Sequence, residues 1–165
     1  MTNKIATLDG RVYWFACIAF GAIMGYVLSS HYGVRCNLST SFLEDYFITK
    51  KHFNQLELQN GTIIITRVDF DNPYIAKGKL LIKKIACNSG DTLETKEKDF
   101  YCNGNLIAVA KEKDSKNRTI EQFHFNGKIP DGYVFLVGEN PMSHDSRYFG
   151  LSKKANIEEV GLWSF

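Results

Sequence analysis

Three short stretches of this chain carry side chains that could do nucleophilic chemistry together. The first, Asn37-Leu38-Ser39-Thr40-Ser41-Phe42-Leu43, holds three consecutive hydroxyls. The second, Leu81-Ile82-Lys83-Lys84-Ile85, sets two lysines among apolar residues and is followed by Ser89-Gly90-Asp91. The third runs from Gly138 to Gly150 and contains Ser143, His144, Asp145 and Arg147. A serine hydroxyl is a weak nucleophile without a base. A lysine amine is that base only when neutral, so its pKa must fall well below about 10.4. Burial against apolar neighbours lowers it by penalising the ammonium. On an alternating strand Lys83 shares a face with Leu81 and Ile85, while Lys84 points the other way. The bland alternatives are a solvated lysine pair on a strand surface and a Ser/Thr-rich loop. Spacing alone does not choose between Thr40 and Ser41 as nucleophile. Ser143-His144-Asp145 is not read as a triad, because neighbouring side chains of an extended segment point to opposite faces. His144 is expected as a surface or linking residue.

These stretches need a scaffold, and the sequence offers two parts. Residues 12–30 read VYWFACIAFGAIMGYVLSS, without one charge. Wound as a helix the run reaches roughly 28 Å, close to the ~30 Å of a bilayer core. Tyr13 and Trp14 lie at one end and Tyr26 and Tyr32 near the other, where amphipathic aromatics favour the interface. A cleavable secretory signal has a shorter apolar run and a small-residue exit site, and Ser29-Ser30-His31 is a poor one. A buried soluble helix shows a polar stripe, which this run lacks. The reading is a membrane anchor. Lys4 and Arg11 precede it and Arg35, Lys50 and Lys51 follow it, so charge does not set its orientation.

Beyond the span the pattern is β-type, with strands expected at 61–68, 80–86, 100–102, 106–110 and 133–137. Asn103-Gly104 is a hairpin signal, since both residues accept positive φ. Residues 111–118, KEKDSKNR, read as an exposed loop or hairpin tip. Pro130-Asp131-Gly132 is a turn into the apolar strand YVFLV. The formal charge of +2 over 165 residues gives no field for nucleic acid. The sequence has no zinc-type CxxC pair, no phosphate-cradling glycine loop and no dinucleotide fingerprint. Four cysteines are too few for a disulfide scaffold of this length.

Taken together, the three stretches resemble the signal peptidase I family. The third is similar to its GDN…S-x-DSR-[YF]-x-G segment, and the second to its Y-[VI]-K-R-[IV]…GD stretch. The first resembles the N-x-T-x-S-x-P-x-G pattern of conjugative-transfer signal peptidases, reading here as Asn37, Ser39, Ser41, Leu43 and Asp45. Residues 157–163 are similar to the family's final strand. Leu43 stands in place of proline, Asp45 of glycine, Glu139 of aspartate and Ser39 of threonine.

The resemblance implies a mainly β fold behind an N-terminal transmembrane helix. Residues 1–11 would be cytoplasmic, 12–30 the anchor and 31–165 the peptidase domain, with 92–128 a reduced version of the family's second β-region. It implies Ser41 as nucleophile, Lys83 as base, and an oxyanion hole from the Ser39 hydroxyl and the Ser41 N–H. Ser143 would orient the lysine, and Asp145 and Arg147 would brace the site from one face of an extended segment. The implied activity is serine endopeptidase cleavage of exported precursors, a propilin of a conjugation or type IV secretion apparatus foremost. The implied place is the outer, periplasmic face of the bacterial cytoplasmic membrane. Its partners would be the precursor, membrane lipid and other components of the apparatus, with no metal, cofactor or nucleic acid. The rivals are a non-catalytic docking component of a secretion assembly and a housekeeping signal peptidase. In an oxidising compartment Cys87 and Cys102 would form a disulfide between neighbouring strands; otherwise all four cysteines stay thiols.

Overall fold

The uncharged run winds into helix α1 (Gly10–His31), about 33 Å long at 1.5 Å per residue. The computed structural model describes residues 10–38 and 41–165; residues 1–9, which hold most of the expected cytoplasmic segment, lie outside them. Every side chain from Arg11 to His31 is exposed, so nothing in the described chain covers this apolar surface. Among the described residues α1 is the one helix long and apolar enough to cross a membrane.

The helix passes directly into strand β1 (Tyr32–Cys36), which pairs with β2 (Tyr46–Lys50). Then come β3 (Ile63–Arg67), β4 (Leu80–Cys87), β5 (Thr92–Lys96), β6 (Asp99–Cys102), β7 (Asn105–Val109), β8 (Asn126–Lys128) and β9 (Tyr133–Val137). A single helical turn, α2 (Ser146–Phe149), precedes β10 (Ser152–Lys153) and β11 (Ile157–Ser164). The fold is mainly β, as expected. Seven strands form one antiparallel sheet in the order β1-β2-β11-β3-β4-β9-β10, and four form a second in the order β7-β6-β5-β8. The second sheet is built from residues 92–128.

Alternation explains how the two sheets share a core. On β9, Val134 and Leu136 enter one apolar cluster with Ile64, Ile85 and Val160. Phe135 and Val137 enter the other, with Leu93, Phe100 and Ile129. Both faces of β9 are therefore buried, which is why YVFLV reads as a continuous apolar run. On β4 a register shift between Ile85 and Cys87 re-aims the chain. Ile85 stays in the first cluster and Cys87 turns into the second, where it is disulfide-bonded to Cys102 of β6. Cys17 and Cys36 are exposed thiols.

The strand expected at 133–137 is present as β9 with the same ends, those on β3, β4, β6 and β7 are present with ends shifted by at most two residues, and β1, β2, β5, β8 and β10 lacked a sequence signal. Asn103 and Gly104, with φ of 49° and 81°, form the two-residue turn between β6 and β7. Residues 111–118 are an exposed tip closed by a Lys113–Thr119 bridge.

Candidate active site

Ser41 sits in the loop joining β1 to β2, and several contacts fix that loop. The Asn37 N–H donates to the Asp45 carbonyl at 2.7 Å, extending the β1–β2 ladder. The Asn37 side chain reaches across and donates to the carbonyls of Phe42 (3.2 Å) and Glu44 (3.1 Å). Phe42 is buried and packs edge-on to Phe47 of β2, with centroids 5.5 Å apart. The Ser41 carbonyl accepts from the Asn140 N–H at 3.0 Å, tying the loop to the third stretch. At the base of the hairpin Arg35 Nε donates to Glu159 Oε2 of β11 at 2.9 Å. Leu43 is fully exposed, so the departure from proline there disturbs no packing.

Lys83 stands opposite Ile64 on β4, on the buried face it shares with Ile85. It is 2 % exposed. Lys84 points the other way and pairs with Glu139 at the surface. The Lys83 amine lies 2.7 Å from Ser41 Oγ and 2.7 Å from Ser143 Oγ, and the two hydroxyls are 3.3 Å apart. Burial pushes the Lys83 pKa down from 10.5 to about 8; the nearby Asp145 carboxylate opposes the shift and Arg147 adds to it. Roughly a fifth of the amine is therefore neutral near physiological pH, far more than for a free lysine.

The third stretch is not extended, contrary to the expectation. Asp145 caps the short helix α2, accepting from the Arg147 N–H at 3.2 Å, and Arg147 lies in the turn that follows. The reason is the Asp at an N-cap, which satisfies a backbone donor that an extended segment would leave for a neighbouring strand. The Asp145 and Arg147 side chains then meet head-on: Nε to Oδ1 at 2.8 Å and one terminal nitrogen to Oδ2 at 2.7 Å. Both are buried. Burial alone would lower the Arg147 pKa, but the bonds and charge of Asp145 outweigh it and hold it above its usual value. Arg147 also donates to the carbonyls of Ser143 (3.1 Å) and of Val109 on β7 (3.0 Å). One side chain thus joins the second sheet to the segment bearing Ser143.

His144 is neither a surface residue nor a linker. Just ahead of the cap of α2, its ring is half-buried against Tyr74 and Tyr148, with centroids 4.6 and 5.3 Å away. Burial lowers its pKa, and its buried Nε2 has no hydrogen-bond partner. Ser143, His144 and Asp145 form no relay: Ser143 bonds to Lys83 and Asp145 to Arg147.

Two positions went unnoticed in the sequence. A Cβ on Gly138 would fall on Ser143 Oγ, 2.7 Å from Ser143 Cβ and 3.1 Å from the Ser41 carbonyl, so only glycine lets the two serine-bearing loops come this close. The Ser146 hydroxyl, fully buried, accepts from the Leu136 N–H at 2.9 Å. The motif GEN…SHDSRYFG contains both residues, but nothing in their type gives these roles away. Ser39 and Thr40 lie outside the described residues. Asp91 of the second stretch is structural, accepting from Asn60, Asn88 and Asn103 around the β4–β5 turn.

A groove of about 530 Å³ opens over this serine–lysine cluster, between β1 and the start of β4, with Ser41 and Lys83 in its lining. A buried amine held against one serine and steadied by another, beside an apolar groove, can remove a hydroxyl proton and set up acyl transfer. The family model for signal peptidase, peptidase S26, matches residues 9–164, and the chain belongs to that family. It is 33% identical over 94 residues to signal peptidase I V of Bacillus subtilis (strain 168), a match covering 50% of this chain and 55% of that protein. The chain thus spans about half the length of that relative. Over 167 residues it is 22% identical to signal peptidase I of Bacillus caldolyticus, covering 93% of this chain and 88% of the relative. A solved structure, signal peptidase I from Enterococcus faecalis V583, is similar at 28% identity with a TM-score of 0.41, over 62% of this chain and 94% of that one.

Proposed function

We propose that this chain is a membrane-anchored serine endopeptidase in which Lys83 activates Ser41 to cleave exported precursor proteins. The observation that carries this reading is the 2.7 Å approach of a buried Lys83 amine to Ser41 Oγ. Neutral Lys83 takes the proton as Ser41 Oγ attacks the scissile carbonyl. The resulting ammonium then protonates the leaving amine, and an acyl-enzyme remains. Ser143 fixes the direction of the amine. Arg147 offsets part of the pull of Asp145 on the ammonium, and burial outweighs what remains, so the lysine pKa still falls. The oxyanion would rest on the Ser41 N–H and the Ser39 hydroxyl, each such donor being worth about 10²–10³ in rate. Water resolves the acyl-enzyme, or an internal amine does so to give a cyclic product.

Helix α1 anchors the β-domain, and the Cys87–Cys102 disulfide favours an oxidising compartment outside the cytoplasmic membrane. The first stretch favours a propilin of a conjugation or type IV secretion apparatus as precursor. The relatives, named signal peptidase I, favour a general secretory role equally.

The test is cleavage of a signal-peptide-bearing precursor by the purified full chain in detergent, between pH 6 and 10. Only the wild type should cleave, against Ser41→Ala and Lys83→Ala, and its rate should climb through about pH 8 as Lys83 loses its proton. Normal processing by Ser41→Ala would sink the mechanism. Binding without cleavage by all three would favour a docking component.

A further inference from the structure

Beside the groove lies a second cavity of about 460 Å³, and the two share Tyr74, Met142 and His144 in their walls. The far wall of this cavity is the exposed tip at 111–118. Asp114 organises that tip from within: its Oδ1 accepts from the N–H groups of Lys116 (2.8 Å) and Arg118 (2.9 Å), and its Oδ2 takes Arg118 Nε (2.7 Å). The Arg118 guanidinium lies 5.4 Å from the Tyr74 ring centroid, which seats the tip on the groove. The acidic groups of the tip are thereby used up, Asp114 by Arg118 and Glu112 by Lys98. Among the described residues no carboxylate lies within ion-pair distance of Lys111, Lys113 or Lys116, though Lys113 is near enough to Glu112 to act on its charge. Lys111 stands at the junction itself, its amine 3.0 Å from Met142 Sδ, a weak acceptor that leaves the charge available.

We infer that this cavity is an extended subsite that takes an acidic stretch of the precursor, on the side that leads away from the membrane. The inference rests on the peptidase reading and adds a substrate preference to it. Direction follows from the connections. The groove is lined at one side by Val34 to Leu38, which follow α1, whereas the second cavity includes no residue of β1. A precursor whose apolar segment lies in the bilayer beside α1 therefore enters near β1, passes Ser41, and sends its released portion over Met142 towards the lysines. Three ammonium groups on a tip held rigid by Asp114 attract carboxylates without first having to break ion pairs of their own.

The experiment compares two precursors that differ only in three Glu or three Gln within about six residues after the cut, a stretch of about 20 Å when extended. With the full-length protein in detergent at low salt, kcat/KM should be about fivefold higher for the acidic precursor, as exposed charge pairs of modest individual strength allow. The ratio should shrink towards one as salt is raised. It should also fall to about one in the combined Lys111→Gln, Lys113→Gln, Lys116→Gln variant. A ratio of one in the wild type, a ratio that survives the triple change, or the same preference for Glu placed before the cut overturns the inference while the peptidase stands. If the triple variant loses binding to phosphatidylglycerol vesicles but keeps the ratio, the lysines serve lipid headgroups and the inference also falls. Cleavage of neither precursor by the wild type removes the peptidase reading, and this subsite with it.

Discussion

Lys83 is placed at a cost to stability, and that cost can be measured apart from catalysis. Its pKa of about 8 in the folded protein lies below the 10.5 of a free lysine, so the unfolded chain binds this proton more tightly. Below about pH 8 the charged amine opposes folding by about 3 kcal/mol, and the penalty is relieved as pH rises from about 8 towards 10.5. Replacing it with Met keeps an unbranched chain of similar length and removes the charge. Ser41 and Ser143, already 3.3 Å apart, can then bond to one another. The expected outcome for Lys83→Met is no cleavage, together with a stability at pH 6–7 raised by up to about 3 kcal/mol. Urea unfolding at pH 6.5 and at pH 9.5 checks this: the gain over wild type should be smaller at the higher pH. A variant less stable than wild type at pH 6.5 would mean that the amine's bonds to the two serines outweigh its desolvation.

The elements act by bringing strand β4 and two distant loops together, and the Ser41 and Ser143 loops crowd closely around Gly138. A methyl group there would collide with Ser143 at the point where Ser143 meets Lys83. Gly138→Ala should therefore displace Ser143 and lower kcat by about 10²-fold, the usual consequence of misplacing a catalytic group by about 1 Å. KM should change less, because Gly138 does not line the groove and Ser143 is one of many residues that do. Assay of Gly138→Ala beside Ser143→Ala is the check, and the two losses should not add, since one acts through the other. How much of this was legible depended on burial. The strands with a buried apolar pattern, β3, β4 and β9, could be read from sequence, and the period of two put Lys83 rather than Lys84 on the inner face. The strands β1 and β2 could not, because Tyr32–Cys36 is an edge with exposed Tyr32 and Val34, and Tyr46–Lys50 mixes buried Phe47 and Thr49 with lysine. Short β8, Asn126–Lys128, has no apolar residue at all. The Ser143–Arg147 segment was misread as extended because one helical turn is too short to show a helical period. The inward turn of His144 went unseen with it.

At the scale of the whole molecule, stability and chemistry are divided between the two sheets. Ser41, Lys83 and Ser143 all stand on the seven-stranded sheet or on loops that leave it. The four-stranded sheet touches the site through Arg147, which holds the Val109 carbonyl, and the chain just after β7 does so through the Lys111 N–H, which donates to the Tyr148 hydroxyl. The covalent tie between the sheets is Cys87–Cys102, set in the second apolar cluster beside Phe100 and Phe135. It closes a loop of 15 residues, which stabilises the folded chain by about 3 kcal/mol through the entropy it removes from the unfolded one. Cys102→Ala, or reduction of the wild type, should therefore lower the unfolding free energy by about 2–4 kcal/mol. Cleavage at 25 °C should fall less than tenfold, because no atom of the dyad depends on that bond for its position. Denaturant titration with and without reductant, alongside the precursor assay in the same buffers, measures both quantities. A stability loss with activity retained would show that the tie to the small sheet adds strength while the large sheet carries the chemistry. Loss of both together would mean that Arg147 transmits the looseness of the second sheet to Ser143, and that the dyad is held from both sides.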